Sequence, residues 1–326
     1  MKWIRLRLFR LLILLGLLGV AGLNGLAWLQ ARTMLHYADG GDRTRKPEEL
    51  SVLRKAVVML TGTRVPRPHS SKTPADFLLP FETLDLPTGA AGPHLGAWYC
   101  PVPTNSPFLV LLFHGYAMDK ASMLPEAAAF HALGIPSLLA DFRGSGDSSA
   151  SHVTIGFEES EDVAAVVRFA RARFPGAKLV LYGQSMGAAA ILRAVARHEV
   201  KPEAIVLEAV FDTLLHTVQN RFDAMKLPSF PAAPLLVFWG GFQFGFDGFD
   251  LSPLADARSV RCPALFLHGS GDPRARPSEA DRVRAAVPGG ASMVIFPSTV
   301  HDDTAIRHPV EWRKTLQAFF GSAFPP

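Results

Sequence analysis

Two cysteines, Cys100 and Cys262, are all that a chain of 326 residues contains. That is too few for a disulfide framework. Each stands at the edge of an expected strand, Cys262 directly before Pro263, as small buried fillers do. No His/Cys/Asp set has the close spacing of a zinc site, so no metal is implied. Phosphate-binding signatures are missing too. There is no G-x-x-x-x-G-K-[ST], and Gly144-Ser145-Gly146-Asp147-Ser148-Ser149 lacks the third glycine of a dinucleotide fingerprint. No cofactor is expected. Acidic residues are absent before Asp39, whereas Lys2, Arg5, Arg7 and Arg10 are basic. Those four account for the whole net charge of +4, since 29 basic and 29 acidic residues remain elsewhere. The body of the protein has no sustained basic face, and nucleic acid is not an expected partner.

What is present first is a hydrophobic run. From Leu11 to Ala31 no residue is charged, and Leu, Ile, Val, Ala and Gly dominate. About 20 such residues span a bilayer core at 1.5 Å per residue. The basic flank favours a cytoplasmic N-terminus, with the rest of the chain on the far side. Membrane contact through residues 11–31 is therefore expected, with the catalytic domain non-cytoplasmic. The alternatives are a cleaved signal peptide, for which Gly25-Leu26-Ala27 is a passable site and secretion the consequence, and a buried core helix. The basic residues Arg32, Arg43, Arg45 and Lys46 follow the run and dilute the charge bias.

Residues 32–75 read as a connector with scattered charges, prolines and one helical pattern around Glu48–Leu60. From Phe77 a rhythm sets in. Phe77–Leu86 and Leu95–Cys100 read as strands, and Phe108–Phe113 (FLVLLF) is apolar throughout, as in a strand buried on both faces. A helix is expected over Ser122–Leu133, a strand over Ser137–Ala140 and a helix over Glu158–Phe174. Strand Lys178–Tyr182, helix Ser185–Arg197 and strands Ala204–Leu207 and Ala264–Leu267 follow. Helix Ser278–Ala286, strand Ser292–Phe296 and a helix from Pro309 to Phe320 complete the series. Such alternation means a mostly parallel sheet covered on both faces. Reactive groups then collect at the carboxyl ends of the strands.

There stands Gly183-Gln184-Ser185-Met186-Gly187, between the strand KLVLY and a helix opening MGAAAIL. Glycines flank the serine because the turn is strained and strand and helix approach closely. Ser185 is the candidate nucleophile, and the Met186 amide can donate to an oxyanion. A serine hydroxyl needs a base, and the base an orienting acid, in the order Ser, acid, His. Among 11 histidines, His301 lies just past the strand SMVIFP. His308 suits a cap or the surface, and His114 and His268 suit structure. Asp272 ends ALFLHGSGD in a glycine-rich turn and is the candidate acid, with Asp212 and Glu208 as runners-up. Asp302 and Asp303 adjoin His301 too closely to orient it. The loop Phe113-His114-Gly115-Tyr116-Ala117 offers the Tyr116 amide as second oxyanion donor.

Together FHGY, DFRGSGDS (residues 141–148), GQSMG, LHGSGD and VHDD resemble the α/β-hydrolase superfamily, and most closely its Bem46-like, serine aminopeptidase-like branch. The resemblance covers about residues 77–320. It implies an eight-stranded α/β-hydrolase fold with Ser185, Asp272 and His301 as triad and the Tyr116 and Met186 amides as oxyanion hole. DFRGSGDS would be a structural turn beside the site. That branch usually has glycine before the base histidine, where this chain has Val300.

The expected division is an anchor over 1–31, a connector over 32–75 and a catalytic domain over 76–326 with a cap insertion at about 210–260. The cap carries Phe230, Phe238, Trp239, Phe242, Phe244, Phe246 and Phe249. Aromatics in that density line an apolar acyl pocket, pack the cap or face a membrane. The expected activity is hydrolysis of a small-molecule acyl ester, thioester or amide. The alternatives are a serine peptidase of aminopeptidase type and a non-catalytic, membrane-tethered binding module.

Overall fold

The computed structural model describes residues 2–45, 50–89, 92–301 and 304–325. The leucine-rich N-terminal run is one helix, α1 (Lys2–Leu35), long and apolar enough to cross a membrane. Helix α2 (Val52–Thr61) follows, its first turn closed by Ser51 Oγ, which accepts from the Arg54 amide. Glu48 and Glu49, where the helical pattern was expected to begin, lie outside the described residues.

Strands β1 (Glu82–Pro87), β2 (His94–Cys100), β3 (Phe108–Phe113), β4 (Ser137–Ala140), β5 (Lys178–Gln184), β6 (Ala204–Glu208), β7 (Ala264–Gly269) and β8 (Ser292–Phe296) form one sheet. Its order is β1-β2-β4-β3-β5-β6-β7-β8. Strand β2 is antiparallel to both neighbours, and all pairs from β4 to β8 are parallel. The all-apolar β3 explains itself here. Leu109, Leu111 and Phe113 join the core on one face, Val110 and Leu112 the core on the other.

The helices α3 (Leu124–Ala132), α4 (Glu159–Arg173) and α5 (Met186–Arg197) cover the sheet with α9 (Pro277–Ala285), α10 (Thr304–Arg307) and α11 (Pro309–Ala323). Between β6 and β7 lie α6 (Leu214–Ala224), α7 (Ala232–Phe244) and the short α8 (Pro253–Asp256). Two expected elements begin later than the hydrophobic pattern suggests. The first strand starts at Glu82 because Pro74–Phe77 is a single 3-10 turn, Leu78 is left-handed (φ 56°), and Pro80 has no amide for a ladder. The helix expected from Ser122 starts at Leu124, with Pro125 in its first turn and a 3-10 turn at Lys120–Met123 before it. Both cysteines are free, and burial pushes their thiols up, to about 12 at Cys100 and about 11 at Cys262.

The turn after β4 locks the sheet to α4. Asp141 accepts from Lys120 Nζ at 2.6 Å and from the amides of Lys120 and Asp147. Arg143 clamps the fully buried Asp162 in a two-pronged contact (Nη2–Oδ1 2.8 Å, Nε–Oδ2 3.1 Å) and also reaches Glu158 and Glu161. Removing the cation strands a buried carboxylate, which costs about 3–5 kcal/mol. Arg143→Met is expected to lower the thermal transition of the detergent-solubilised protein by more than 5 °C, whereas Arg173→Met, at an exposed site, leaves it within a degree or two.

Candidate active site

Strand β5 ends in Gln184 and α5 begins at Met186, so Ser185 carries the whole reversal. It does so at φ 52°, ψ −107°, a backbone conformation that is strained for a residue with a side chain. The corner closes because its neighbours are glycines. A Cβ on Gly183 would lie 2.5 Å from the Gly187 carbonyl carbon, and one on Gly187 would collide with the Phe113 carbonyl. The Ser185 amide donates to the Glu208 carbonyl at 2.8 Å, tying the corner to the end of β6.

Ser185 Oγ lies 3.0 Å from His301 Nε2, and His301 Nδ1 lies 2.7 Å from Asp272 Oδ2. Asp272 Oδ1 accepts from the amides of Arg274 (2.8 Å) and Ala275 (3.1 Å), which fixes the carboxylate. Burial by itself raises this carboxyl, but the hydrogen bond and charge of His301, with the two amides, outweigh it and hold its pKa below the ordinary value. His268, fully buried, lies 3.6 Å from the same carboxylate; burial lowers its pKa, and its Nε2–H is given to the Ala275 carbonyl at 2.7 Å. A buried donor thus flanks the carboxylate without competing for Ser185.

The Met186 amide is in the open first turn of α5, where helix amides have no internal acceptor. Tyr116 borders the same cavity as Ser185, and its hydroxyl donates to the Met34 carbonyl at 2.6 Å. Neither amide is taken by a protein acceptor among the described residues.

The competing residues are engaged elsewhere. Glu208 Oε1 receives the amide (2.8 Å) and hydroxyl (2.7 Å) of Thr304, and its other oxygen the Tyr182 hydroxyl, so it pins the segment after His301. Asp212 pairs with Arg282 at 2.6 Å and His216 at 2.9 Å. His308 Nε2 meets Thr299 Oγ1 at 2.8 Å, and His114 Nε2 accepts from the Phe142 amide at 3.0 Å. Asp302 and Asp303 lie outside the described residues. Val300 keeps a negative φ and an exposed side chain, so this position does not require glycine here.

Ser185 and His301 open on a cavity of about 640 Å³. None of the seven cap aromatics singled out in the sequence lines it. Phe246 stacks on Phe157 with centroids 3.8 Å apart, Phe244 packs on His36 and His152, and the Trp239 indole donates to Asn24 of α1 at 3.0 Å. Phe230, Phe238, Phe242 and Phe249 are exposed. The apolar lining comes from α1 (Leu23, Leu26, Ala27), from α2 (Val58, Met59) and, within the cap, from Val218 and Phe222 of α6 and Leu236 of α7. Sequence reasoning missed this wall, and also the cations Arg43, Arg45, Lys55, Arg64, Arg221 and Arg274 that border the cavity. No aspartate or glutamate joins them among the described residues.

Residues 105–228 match the hydrolase family model described as serine aminopeptidase, S33. An uncharacterized protein of Mycobacterium tuberculosis, Rv2307c, is 30% identical over 243 residues, covering 72% of this chain and 75% of that protein. The lysophosphatidylserine lipase ABHD12 of Macaca fascicularis is 25% identical over 191 residues, covering 54% of this chain and 44% of the lipase. Among solved structures, the Pyrococcus furiosus esterase Pf2001 superposes with a TM-score of 0.63 at 21% identity, covering 79% of this chain and 98% of the esterase. With its eight-stranded sheet, its strained serine corner and these relatives, the chain belongs to the α/β-hydrolase superfamily, in the Bem46-like, serine aminopeptidase-like branch.

Proposed function

We propose that the protein is a membrane-anchored serine hydrolase that cleaves an acyl ester through a covalent acyl-enzyme. Ser185 is the nucleophile, His301 the general base and Asp272 the orienting acid. The observation that carries this reading is the unbroken hydrogen-bonded series Ser185–His301–Asp272 opening on a largely apolar cavity. His301 Nε2 takes the hydroxyl proton as Oγ attacks the acyl carbon, while Nδ1–H remains donated to Asp272 and the imidazolium is stabilised there. The Tyr116 and Met186 amides receive the oxyanion, each such donor contributing about 3 kcal/mol to the barrier difference. The proton passes to the leaving alcohol. Water then repeats the attack with His301 as base and releases the acid.

The charges around the cavity favour an ester over an aminoacyl amide. An aminopeptidase substrate brings an α-ammonium that needs a carboxylate partner, whereas six cations and no acid line this cavity among the described residues. One relative is itself named a lipase. We place the N-terminus in the cytoplasm and the hydrolase domain on the other side, with α1 uncleaved. Supporting retention, Asn24 accepts from Trp239, and Ala27, Ala31 and Leu35 are buried against the domain. A chain beginning near Trp28 gives up the contacts of Asn24 and Ala27.

Three outcomes test the reading. A fluorophosphonate probe labels the wild type, and Ser185→Ala abolishes both labelling and turnover with an unchanged thermal transition; labelling that survives the substitution removes Ser185 from the mechanism. In an apolar cavity each added methylene contributes up to about 0.8 kcal/mol. Hence kcat/KM climbs from acetyl to hexanoyl esters by as much as roughly two orders of magnitude, and a flat series, or aminoacyl amides outpacing every ester, favours the peptidase instead. Finally, the protein stays with membranes through a high-salt wash and is released by detergent. Release by salt alone would exclude an integral anchor.

A further inference from the structure

The apolar run Leu11–Ala31 is 21 residues, about 31 Å of helix, which matches a bilayer core of about 30 Å with nothing to spare. Yet the domain takes hold of α1 well before that run ends. Leu23, Leu26 and Ala27 line the cavity that holds Ser185, and Asn24 is hydrogen-bonded to α7. From Leu23 to Ala31 is about 12 Å along the helix. Over that distance α1 would have to be both inside the bilayer and packed on the hydrolase domain. The two requirements are met together when the adjoining elements of the domain also enter the leaflet.

Those elements are made for it. Helix α2 is anchored to α1, Gln30 donating to the carbonyls of Val58 and Met59, and it has two faces. Lys55 and Val58 point at the cavity, while Leu53, Val57 and Leu60, on the opposite side of the helical wheel, are exposed. Leu53 is 76% exposed and Leu60 63%. Helix α7 packs on α1 through Gly240, where an added Cβ would come within 3.3 Å of Leu35. Its outer face carries Phe238 and Phe242, four residues apart and both exposed. No acidic residue occurs in either helix. Exposed apolar side chains in this number are costly in water and favourable in an acyl-chain layer, where interfacial helices bury their apolar faces by about 5–10 Å.

We propose that α2 and α7 are sunk in the leaflet that receives the C-terminal end of α1, and that the site draws an acyl lipid from that leaflet, with α1 as one wall of its acyl channel. The occupant of the exposed face is lipid hydrocarbon. Cations on the connector, Arg43, Arg45 and Arg64, border the same cavity and meet the phosphate level above it. The nature of the reaction rests on the hydrolase reading above; the placement of the face does not.

The full chain in phosphatidylcholine/phosphatidylglycerol vesicles decides it. Nitroxide labels are placed singly by Leu53→Cys, Leu60→Cys, Phe238→Cys and Phe242→Cys in a Cys262→Ser background, with Lys201→Cys at the opposite edge of the sheet as reference. The four are expected to relax with oxygen in preference to a water-soluble nickel chelate, and the reference the reverse. Preferential nickel access on either helix overturns the proposal. The channel is read from the ratio of kcat/KM for 4-methylumbelliferyl oleate to that for the butyrate, so that any inactive fraction cancels. Narrowing the α1 wall with Leu23→Trp and Leu26→Trp together lowers that ratio at least tenfold, and an unchanged ratio overturns the role of α1 as a wall. Wild-type protein that fails to react with a fluorophosphonate overturns the hydrolase reading alone, since the spin labels report the leaflet face without catalysis.

Discussion

The close approach of β5 to α5 is the constraint from which the site follows. A reversal of direction within one residue forces Ser185 to φ 52° and leaves no room for a side chain on Gly183 or Gly187. The strain is held by the surroundings rather than relieved. The Ser185 amide is fastened to β6, and α5 is buried without interruption from Met186 to Ala194. The same approach aims the hydroxyl out of the sheet edge and leaves the helix amides beside it open. An outward-facing serine hydroxyl and an open helix amide thus arise from one backbone event.

Holding His301 near that serine is a separate problem, because His301 sits on a loop. Polar contacts buried beneath the loop solve it. Glu208 at the end of β6 receives Thr304, and the hydroxyl of Tyr182 from β5 binds the same carboxylate. His308 reaches back to Thr299. A buried carboxylate with its acceptor sites filled is rigid, and one left unfilled is costly, so these contacts specify the loop rather than merely decorate it. Glu208 is a natural rival for the acid role by position along the chain, but its two oxygens are taken by Thr304 and Tyr182, and among the described residues the carboxylate that reaches the imidazole is Asp272.

The long apolar helix α1 and the hydrolase domain are joined more intimately than a tether requires. Small residues make this geometry available. Ala27 and Ala31 on α1 are buried, Gly240 on α7 leaves room for the Leu35 side chain, and the Asn24–Trp239 hydrogen bond satisfies a polar side chain in an uncharged run. Consequently the cavity beside Ser185 is lined in part by the helix that is apolar enough to cross a membrane, and the aromatics of α7 are left to packing and to the exterior.

The sheet and the reactive corner were legible because both are written in short-range pattern. Continuous apolar runs such as FLVLLF mean strands buried on both faces, and G-x-S-x-G between a strand and a helix is a local steric requirement. The order Ser185, Asp272, His301 was also readable, since each stands just past a strand end. Where a left-handed residue and a proline interrupted the pattern at Leu78–Pro80, and a 3-10 turn preceded Pro125, the expected elements overran the true boundary. The lining of the cavity was not legible at all. Leu23 and Ser185 are 162 positions apart, and nothing in the composition of α1 distinguishes a residue facing lipid from one facing a cavity, because both must be apolar. Local sequence therefore determined the elements and the corner. Tertiary structure alone decided which apolar surfaces meet, because burial has no direction until the partners are in place.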